Sequence, residues 1–277
     1  MNRGVVSRLA LARVDLERIG LSAEEQTNWM PRTLGSMMLR PGLGYLGSAR
    51  GDAAAKIVPF VFAADDVALV EVTDSILRVW VDDAPVRRAA VSSAVANGTF
   101  GSAITSWTDA DESGAASAWA TGGYLSLTGT GFNAAIVRQQ VTVATADRNT
   151  EHALRIVVER GPVTLRVGST AGDDDYIRQT GLGAGTHSLA FTPAGDFHIQ
   201  FSNRAARAAL VDSVSVEGAG RLELPVPWTA DDLGLLRWAQ SADVIFVACD
   251  GHQQRRIERR GVRSWSIVLY QPLDGPF

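Results

Sequence analysis

The stretch from Lys56 to Val81, KIVPFVFAADDVALVEVTDSILRVWV, decides the fold class. It divides into three short runs rich in β-branched and aromatic residues, Lys56–Phe62, Val67–Val72 and Ile76–Val81. The residues between them, such as Thr73-Asp74-Ser75, are those that favour turns. Three strands in succession predict an antiparallel meander, so the chain is expected to be all-β.

Strand patterns continue through the middle of the chain, where Gly, Ser, Ala and Thr become frequent between about Ala94 and Gly220. Short strands separated by Gly, Asp and Asn are typical of a sandwich or jelly roll, which predicts an inserted module at residues 95–218. Residues 1–94 and 219–277 then form one discontinuous β-rich domain with an extended arm at about residues 1–50. The strands expected in the insert are Tyr124–Leu127, Ala135–Val143, His152–Glu159, Val163–Val167, Thr186–Phe191, Phe197–Phe201 and Ala209–Val216.

After the insert, the chain shows one helical signal and then a hairpin. Thr229 is followed three residues later by an acid, which predicts a cap on a short helix from Asp231 to Gln240. Strands are expected at Val244–Ala248, Arg255–Glu258 and Ser264–Tyr270.

Composition limits the possible functions. With 277 residues, 20% charged residues and a net charge of -4, the chain has no strong field to attract nucleic acid or anionic membranes. The single cysteine, Cys249, excludes an internal disulfide and a thiolate cluster for zinc. Met1 to Leu21 lacks the apolar core of a secretory signal, and no apolar run is long enough for a membrane span, so synthesis in the cytosol is expected.

A series of short motifs occurs in order in the two outer segments. They are Asn28-Trp29, Arg40-Pro41-Gly42, Ile57–Phe62, Leu77–Trp80, Pro227–Leu233, Leu236–Val244, Ser264–Ser266 and Asp274–Phe277. In this order they resemble the nozzle, or tail-tubular, proteins of short-tailed phages and their relatives in phage-like particles. The resemblance covers roughly residues 1–90 and 220–277 and none of the insert.

The resemblance implies a β-rich, partly propeller-like platform in a virion tail that is assembled in the host cytoplasm. It implies a ring of copies around the DNA channel, in contact with an adaptor or portal and with other tail proteins. DNA is expected to pass through the lumen without specific binding. The chain departs from the family in its large insert and in stopping near Phe277, so a complete closed propeller is not expected.

Seven residues are candidates for assembly contacts. Arg255, Arg259 and Arg263 form a basic run that either shares one face of a strand, facing DNA or an acidic neighbour, or is a solvated hairpin face. The extended segments need neighbours to satisfy their backbone groups, and their expected anchors are Trp29, Pro41, Phe60 and Trp238.

The insert offers two candidate ligand sites. Trp107, Trp119 and Tyr124, with Phe132 nearby, either fill the sandwich core, our first interpretation, or stack on a host glycan. Asp173 to Asp175 either form a solvated turn or, through Asp173 and Asp175, contribute to a calcium site.

Signals for catalysis are weak. The four histidines have no metal-ligand spacing and are expected on exposed strand faces or turns, and the nucleophile and phosphate-loop motifs do not occur. Asp109, Asp111 and Glu112 are the carboxylates available to a glycan-cleaving enzyme, although their shared loop favours turn chemistry. We therefore expect no enzyme and no cofactor, and a carbohydrate-binding or receptor-recognition protein is the alternative function.

Overall fold

The protein is described by a computed structural model that covers residues 5–10, 13, 15–32, 36–63 and 66–272. The predicted all-β class is confirmed, since antiparallel strands build the described chain. Two compact units are present, residues 1–47 and residues 48–277. Residues 64–65, between the first two predicted strands, and the motif Asp274–Phe277 lie outside the described residues.

The first unit contains little regular structure. A one-turn helix, α1, spans Glu17–Gly20, and a 3-10 turn spans Arg8–Ala10. Strand β1 (Trp29–Pro31) pairs antiparallel with β2 (Met37–Leu39). These short elements agree with the expected extended arm.

The second unit holds the remaining strands. In chain order they are β3 (Lys56–Ala63), β4 (Asp66–Thr73), β5 (Ile76–Val81), β6 (Ala84–Pro85), β7 (Arg87–Arg88), β8 (Thr108–Asp109), β9 (Ala116–Ala120), β10 (Tyr124–Thr128), β11 (Ala135–Val141), β12 (His152–Arg160), β13 (Val163–Gly168), β14 (Ile177–Leu182), β15 (Gly185–Phe191), β16 (Phe197–Asn203), β17 (Ala209–Val216), β18 (Gly220–Arg221), β19 (Glu223–Pro225), β20 (Arg237–Ser241), β21 (Val244–Cys249), β22 (His252–Gly261) and β23 (Ser264–Leu269). Short 3-10 helices span Arg50–Asp52, Thr145–Asp147 and Ala230–Gly234.

The insert is a sandwich of two five-stranded antiparallel layers. One layer has the order β14-β13-β16-β11-β8, and the other is the β15-β12-β17-β10-β9 part of a larger sheet. Alternate side chains of both layers point inward and form one core, which includes Leu154, Val211, Leu165 and Phe201. The predicted β-sandwich is therefore confirmed, and its jelly-roll character remains a prediction.

The flanking segments form a second sandwich with a core of its own. The sheet β19-β5-β4-β3 faces the meander β20-β21-β22-β23, and Phe60 meets Trp265 edge-on with ring centroids 5.2 Å apart. Buried residues of this core come from both sides of the insert, Val58 to Val86 and Leu222 to Ile267. With β6 paired beside β5, the first sheet has five strands, and it packs on four strands of the larger sheet. This stacking is compatible with a partial propeller, which remains a prediction.

The two sandwiches share one continuous sheet. Strand β23 of the flank pairs antiparallel with β15 of the insert, which gives the nine-stranded order β20-β21-β22-β23-β15-β12-β17-β10-β9. Backbone hydrogen bonds therefore join the insert to the flank within one sheet. We call the β15–β23 contact the seam.

A buried arginine reinforces the seam where the chain enters and leaves the insert. Arg88, on β7 beside β18, donates to Glu217 Oε2 at 2.7 Å, to Ser188 Oγ at 2.6 Å and to the carbonyl of Arg263 at 2.9 Å. Burial acts to raise the pKa of Glu217, but the charges of Arg155 and Arg88 outweigh it, so the pKa is lowered. The ion pair therefore persists with both partners charged.

The helix predicted from Asp231 to Gln240 is wrong beyond its first turn. The predicted cap is present, with Asp232 Oδ2 accepting from the Thr229 backbone N–H at 2.8 Å, but the 3-10 helix ends at Gly234. Residues Arg237–Ser241 instead form β20, which pairs with β21 through a two-residue turn. Pairing with a neighbouring strand supplies the backbone bonds that a longer helix would have made internally.

Candidate functional site

The arm exposes large apolar side chains. Leu43 is 86% exposed and Trp29, opposite Leu39 on the β1–β2 hairpin, is 48% exposed. Pro41 is also exposed, in the segment that follows β2. Full burial of such a side chain is favourable by about 1.5–3 kcal/mol, so a partner that covers the arm would bind with part of this free energy.

A second apolar surface lies on the outer face of the nine-stranded sheet. Trp238, on the edge strand β20, is 39% exposed and lines a cavity of about 360 Å³ with Phe246 and Tyr270. The Phe246 and Tyr270 rings stack edge to face at 5.5 Å, which gives the cavity a rigid wall. Trp238 therefore remains available as an assembly contact.

The flank also exposes apolar residues on the outer face of β3 and β4, among them Ile57, Val61 and Val67. The edge of β3 is partly blocked, because the Gln240 side chain accepts from the Val61 N–H at 3.1 Å and donates to the Val61 carbonyl at 2.7 Å. The Gln240 amide therefore makes the two hydrogen bonds with Val61 that a neighbouring strand would make. The exposed face of this sheet, rather than its edge at Val61, is the surface open to a neighbour.

One predicted anchor is wrong. Phe60 is fully buried in the flank core against Trp265, so it cannot contact a neighbouring molecule directly. Its place on β3 explains the error, because successive side chains of a strand point to opposite faces and Phe60 points inward.

The basic run does not form a free stripe. Arg259 pairs with Asp66 and Asp243 and lies 4.8 Å from the Phe62 ring centre. Arg263 lies in the turn after β22 and pairs with Glu151. The alternative in which Arg255, Arg259 and Arg263 share one strand face is therefore wrong, since a register shift and a turn separate the last two.

Arg255 differs from the other two. Its Nε is buried and has no hydrogen-bond partner in the described part of the chain. Burial lowers the pKa of its guanidinium below the usual range. Arg255 is the member of the run whose charge is least compensated.

The predicted aromatic cluster separates into core and surface residues. Trp107 is buried against Phe100 and Phe201, so it belongs to the core as the first interpretation held. Trp119 is 38% exposed, and its indole Nε1 donates to the Phe100 carbonyl at 2.8 Å, which fixes the ring.

Trp119 borders a shallow cavity of about 530 Å³. Gly122, Gly123, Asp212 and Ser213 are among its other lining residues. Tyr124 is half-buried and packs beside Gly122 rather than lining this cavity. An aromatic face next to a carboxylate and a hydroxyl combines apolar contact with hydrogen bonding, as sugar recognition requires.

The acidic residues of the insert hold turns together. Asp175 Oδ1 accepts from the Ser169 N–H at 2.8 Å, which lowers the pKa of Asp175, and Asp173 bonds to the Thr170 hydroxyl. Asp111 likewise accepts from Ser117 and Ile136. These bonds support the solvated-turn interpretation of Asp173 and Asp175, and turn chemistry for Asp109, Asp111 and Glu112.

Two histidines contradict the expected exposure. His152 is buried and its Nε2 lies 3.0 Å from Ser93 Oγ, while His187 is buried at the seam. Both satisfy their ring nitrogens within the fold, which polar groups in a core require.

One cluster of possible metal ligands was missed by sequence reasoning. Asp232, Cys249 and His252 place one donor atom each within 4.8 Å of one another. Burial, with the charges of Asp232 and Asp250, raises the pKa of the Cys249 thiol. The Cys-x-x-His spacing was the available signal, but only the fold brings Asp232 to it.

Comparisons with known proteins return no match. Neither a protein-family model nor a curated protein sequence matches the chain significantly. Within the described residues, no helix has the length and apolar character needed to cross a bilayer.

Proposed function

We propose that the chain is a structural component of a phage or phage-like tail, a nozzle- or hub-type protein that forms a ring around the DNA channel. The support from sequence is the ordered set of motifs in the outer segments. The motifs at Ile57–Phe62, Leu77–Trp80 and from Pro227 to Ser266 fall in the second unit, where Trp228 and Leu236 lie in the flank core together with Trp265.

The observation that carries the proposal is the apolar surface of the arm. Trp29 and Leu43 are large side chains whose exposure is costly in an isolated chain. The cavity beside Trp238 and the outer face of β3 and β4 add apolar surface on the flank. Copies of the chain and tail neighbours such as an adaptor or portal are the partners that would cover these surfaces.

The charge distribution is compatible with a channel through which DNA passes without being bound tightly. Net charge is -4, and Arg259 and Arg263 are neutralised within the chain. Phosphate binding grows with the number of uncompensated Lys and Arg side chains, so specific or tight DNA binding is not expected.

Sedimentation of the purified chain tests the proposal. We expect an oligomer that dissociates when Trp29→Ser and Leu43→Ser are combined, because each change removes about 1.5–3 kcal/mol of apolar burial per contact. Phe132→Ser is the matched control, because Phe132 is 87% exposed but lies on the insert. A wild-type chain that sediments as a monomer at all concentrations would contradict the proposal.

The second candidate function is carbohydrate or receptor recognition through the insert. The observation that favours it is the fixed, half-exposed Trp119 ring beside Asp212. Binding to a glycan array that is lost in Trp119→Ala and retained in Phe132→Ala would establish it. No binding by the folded wild-type chain would remove it.

A further inference from the structure

The hairpin of β21 and β22 brings two metal-ligand side chains together. Cys249 and His252 are opposite partners across the turn Asp250-Gly251. Gly251 has φ of 76°, a conformation that glycine adopts without strain and that lets two residues close the turn. The pairing therefore fixes the thiol and the imidazole on neighbouring strands.

The third side chain comes from the 3-10 helix before β20. Asp232 Oδ2 accepts from Thr229 N–H and Oγ1, at 2.8 and 2.9 Å, and lies 3.2 Å from His252 Nε2. The hydrogen bonds to this carboxylate in the described chain end on Oδ2, which leaves Oδ1 for another partner. The Cys249 thiol points toward the same residue, 4.0 Å from its carbonyl oxygen.

We propose that Asp232, Cys249 and His252 form a binding site for a thiophilic divalent cation, best matched by zinc. A thiolate, an imidazole and a carboxylate are the three ligand types that zinc takes in proteins, whereas calcium and magnesium select oxygen. This site is distinct from the assembly surfaces and does not depend on the proposed tail function.

The distances are close to those that a zinc ion needs. Tetrahedral zinc with bonds of about 2.0–2.3 Å holds its ligand atoms about 3.4–3.6 Å apart. The donor atoms here lie within 4.8 Å of one another. Side-chain rotations that move these atoms by about 1 Å therefore complete the tetrahedral geometry. The His252 and Asp232 side chains are 27% and 18% exposed, which gives a cation a path from solvent.

A bound ion would add a further link between two elements that already meet through the Asp232–His252 contact and the shared flank core. It would join the 3-10 helix to the β21–β22 hairpin, next to the strand β20 that carries Trp238. Three protein ligands leave the fourth tetrahedral position to water. The site would therefore stiffen the edge of the flank beside a candidate assembly surface.

Metal titration of the full chain tests this inference. The protein is purified with a non-thiol reductant, stripped with chelator and titrated with zinc, and with cobalt as a spectroscopic probe. We expect one ion per chain, a tetrahedral cobalt spectrum and a thiolate-to-cobalt charge-transfer band. The band assigns Cys249, since it is the chain's single cysteine.

Variants separate this site from adventitious binding. Cys249→Ser should abolish the charge-transfer band, and His252→Gln should raise the zinc Kd by more than the roughly 10–100-fold that an outer-shell change costs. Asp231→Asn is the matched control, because Asp231 is exposed and adjacent but outside the cluster. His198→Gln controls for zinc on other histidines. Absence of zinc binding at micromolar concentration, or affinity unchanged in His252→Gln, overturns the inference.

Discussion

His187 makes the seam sensitive to acid. It lies on β15 opposite Ser266 of β23, with Nδ1 2.8 Å from Ser266 Oγ and Nε2 2.9 Å from the Gly183 carbonyl. The neutral ring fits these partners, with hydrogen on Nε2 donated to Gly183. Burial lowers the pKa of His187 to about 4 from its ordinary 6.5, and the Arg260 charge acts in the same direction, against the Gly183 hydrogen bond.

The sign and size of the effect follow from linkage. The folded pKa lies below the unfolded pKa, so stability is fully present above pH 6.5 and is lost as pH falls toward 4, because the unfolded chain takes up the proton first. At about 1.36 kcal/mol per pH unit, the shift corresponds to about 3 kcal/mol in total and about 2 kcal/mol at pH 5. For the structural unit of residues 48–277, we take an m-value of about 3 kcal/mol/M. The urea midpoint should then fall by about 0.7 M between pH 7.5 and pH 5.

Urea unfolding at both pH values, followed by tryptophan fluorescence, measures this loss. Other groups of the chain also titrate on acidification, so the comparison is with His187→Gln, which keeps a polar side chain but cannot take up a proton. We expect the variant to be less stable than wild type at pH 7.5. On acidification to pH 5, its free energy of unfolding should fall by about 2 kcal/mol less than that of wild type. Equal losses in the two proteins would refute the assignment of a buried neutral imidazole at the seam.

Other predictions concern the same seam and the surface of the insert. Arg88→Met should cost about 3–5 kcal/mol of unfolding free energy, measured by urea denaturation, because it leaves Glu217 buried with a lost partner; a change under about 1 kcal/mol would contradict this. Gly185→Ala should destabilise the chain in thermal melts, because a Cβ there would lie 2.2 Å from the Ile267 carbonyl oxygen, whereas Gly195→Ala meets nothing within 4 Å and should melt like wild type. Trp119→Ala should leave the melting temperature within about 2–4 °C of wild type, as expected for a partly exposed side chain outside the core, and a larger drop would place this ring in the core.

Sequence patterns were sufficient for the strands whose residues alternate or are strongly β-forming. Ile76–Val81 and Ala209–Val216 occur with the predicted bounds. The strand Ile177–Leu182 was missed because its Arg, Gln, Thr and Gly carry little strand signal, and pairing with β13 is what makes it extended. β20 was misassigned as the end of a helix because Leu233 and Leu236, just before it, have a helical spacing. The strand that makes it extended, β21, comes later in the chain.

The candidate sites were harder to predict from the sequence than the strands, because their residues are brought together or separated by the fold. The exposure of Trp119 and the burial of Phe60 follow from which face of a strand each residue occupies, and one position of register decides that face. The salt bridge from Arg259 to Asp66 joins residues far apart in sequence, so the neutralisation of Arg259 could not be recognised from the basic run alone. The cluster at Cys249 likewise needed the position of Asp232.

Electron microscopy of the purified full-length chain tests the central claim most directly. The proposed tail function predicts closed rings with a central channel in two-dimensional class averages, and their loss in the double variant Trp29→Ser, Leu43→Ser, which removes apolar surface from the arm. Uniform single copies of the wild-type chain, with no ring at any concentration, would contradict a ring-forming tail protein.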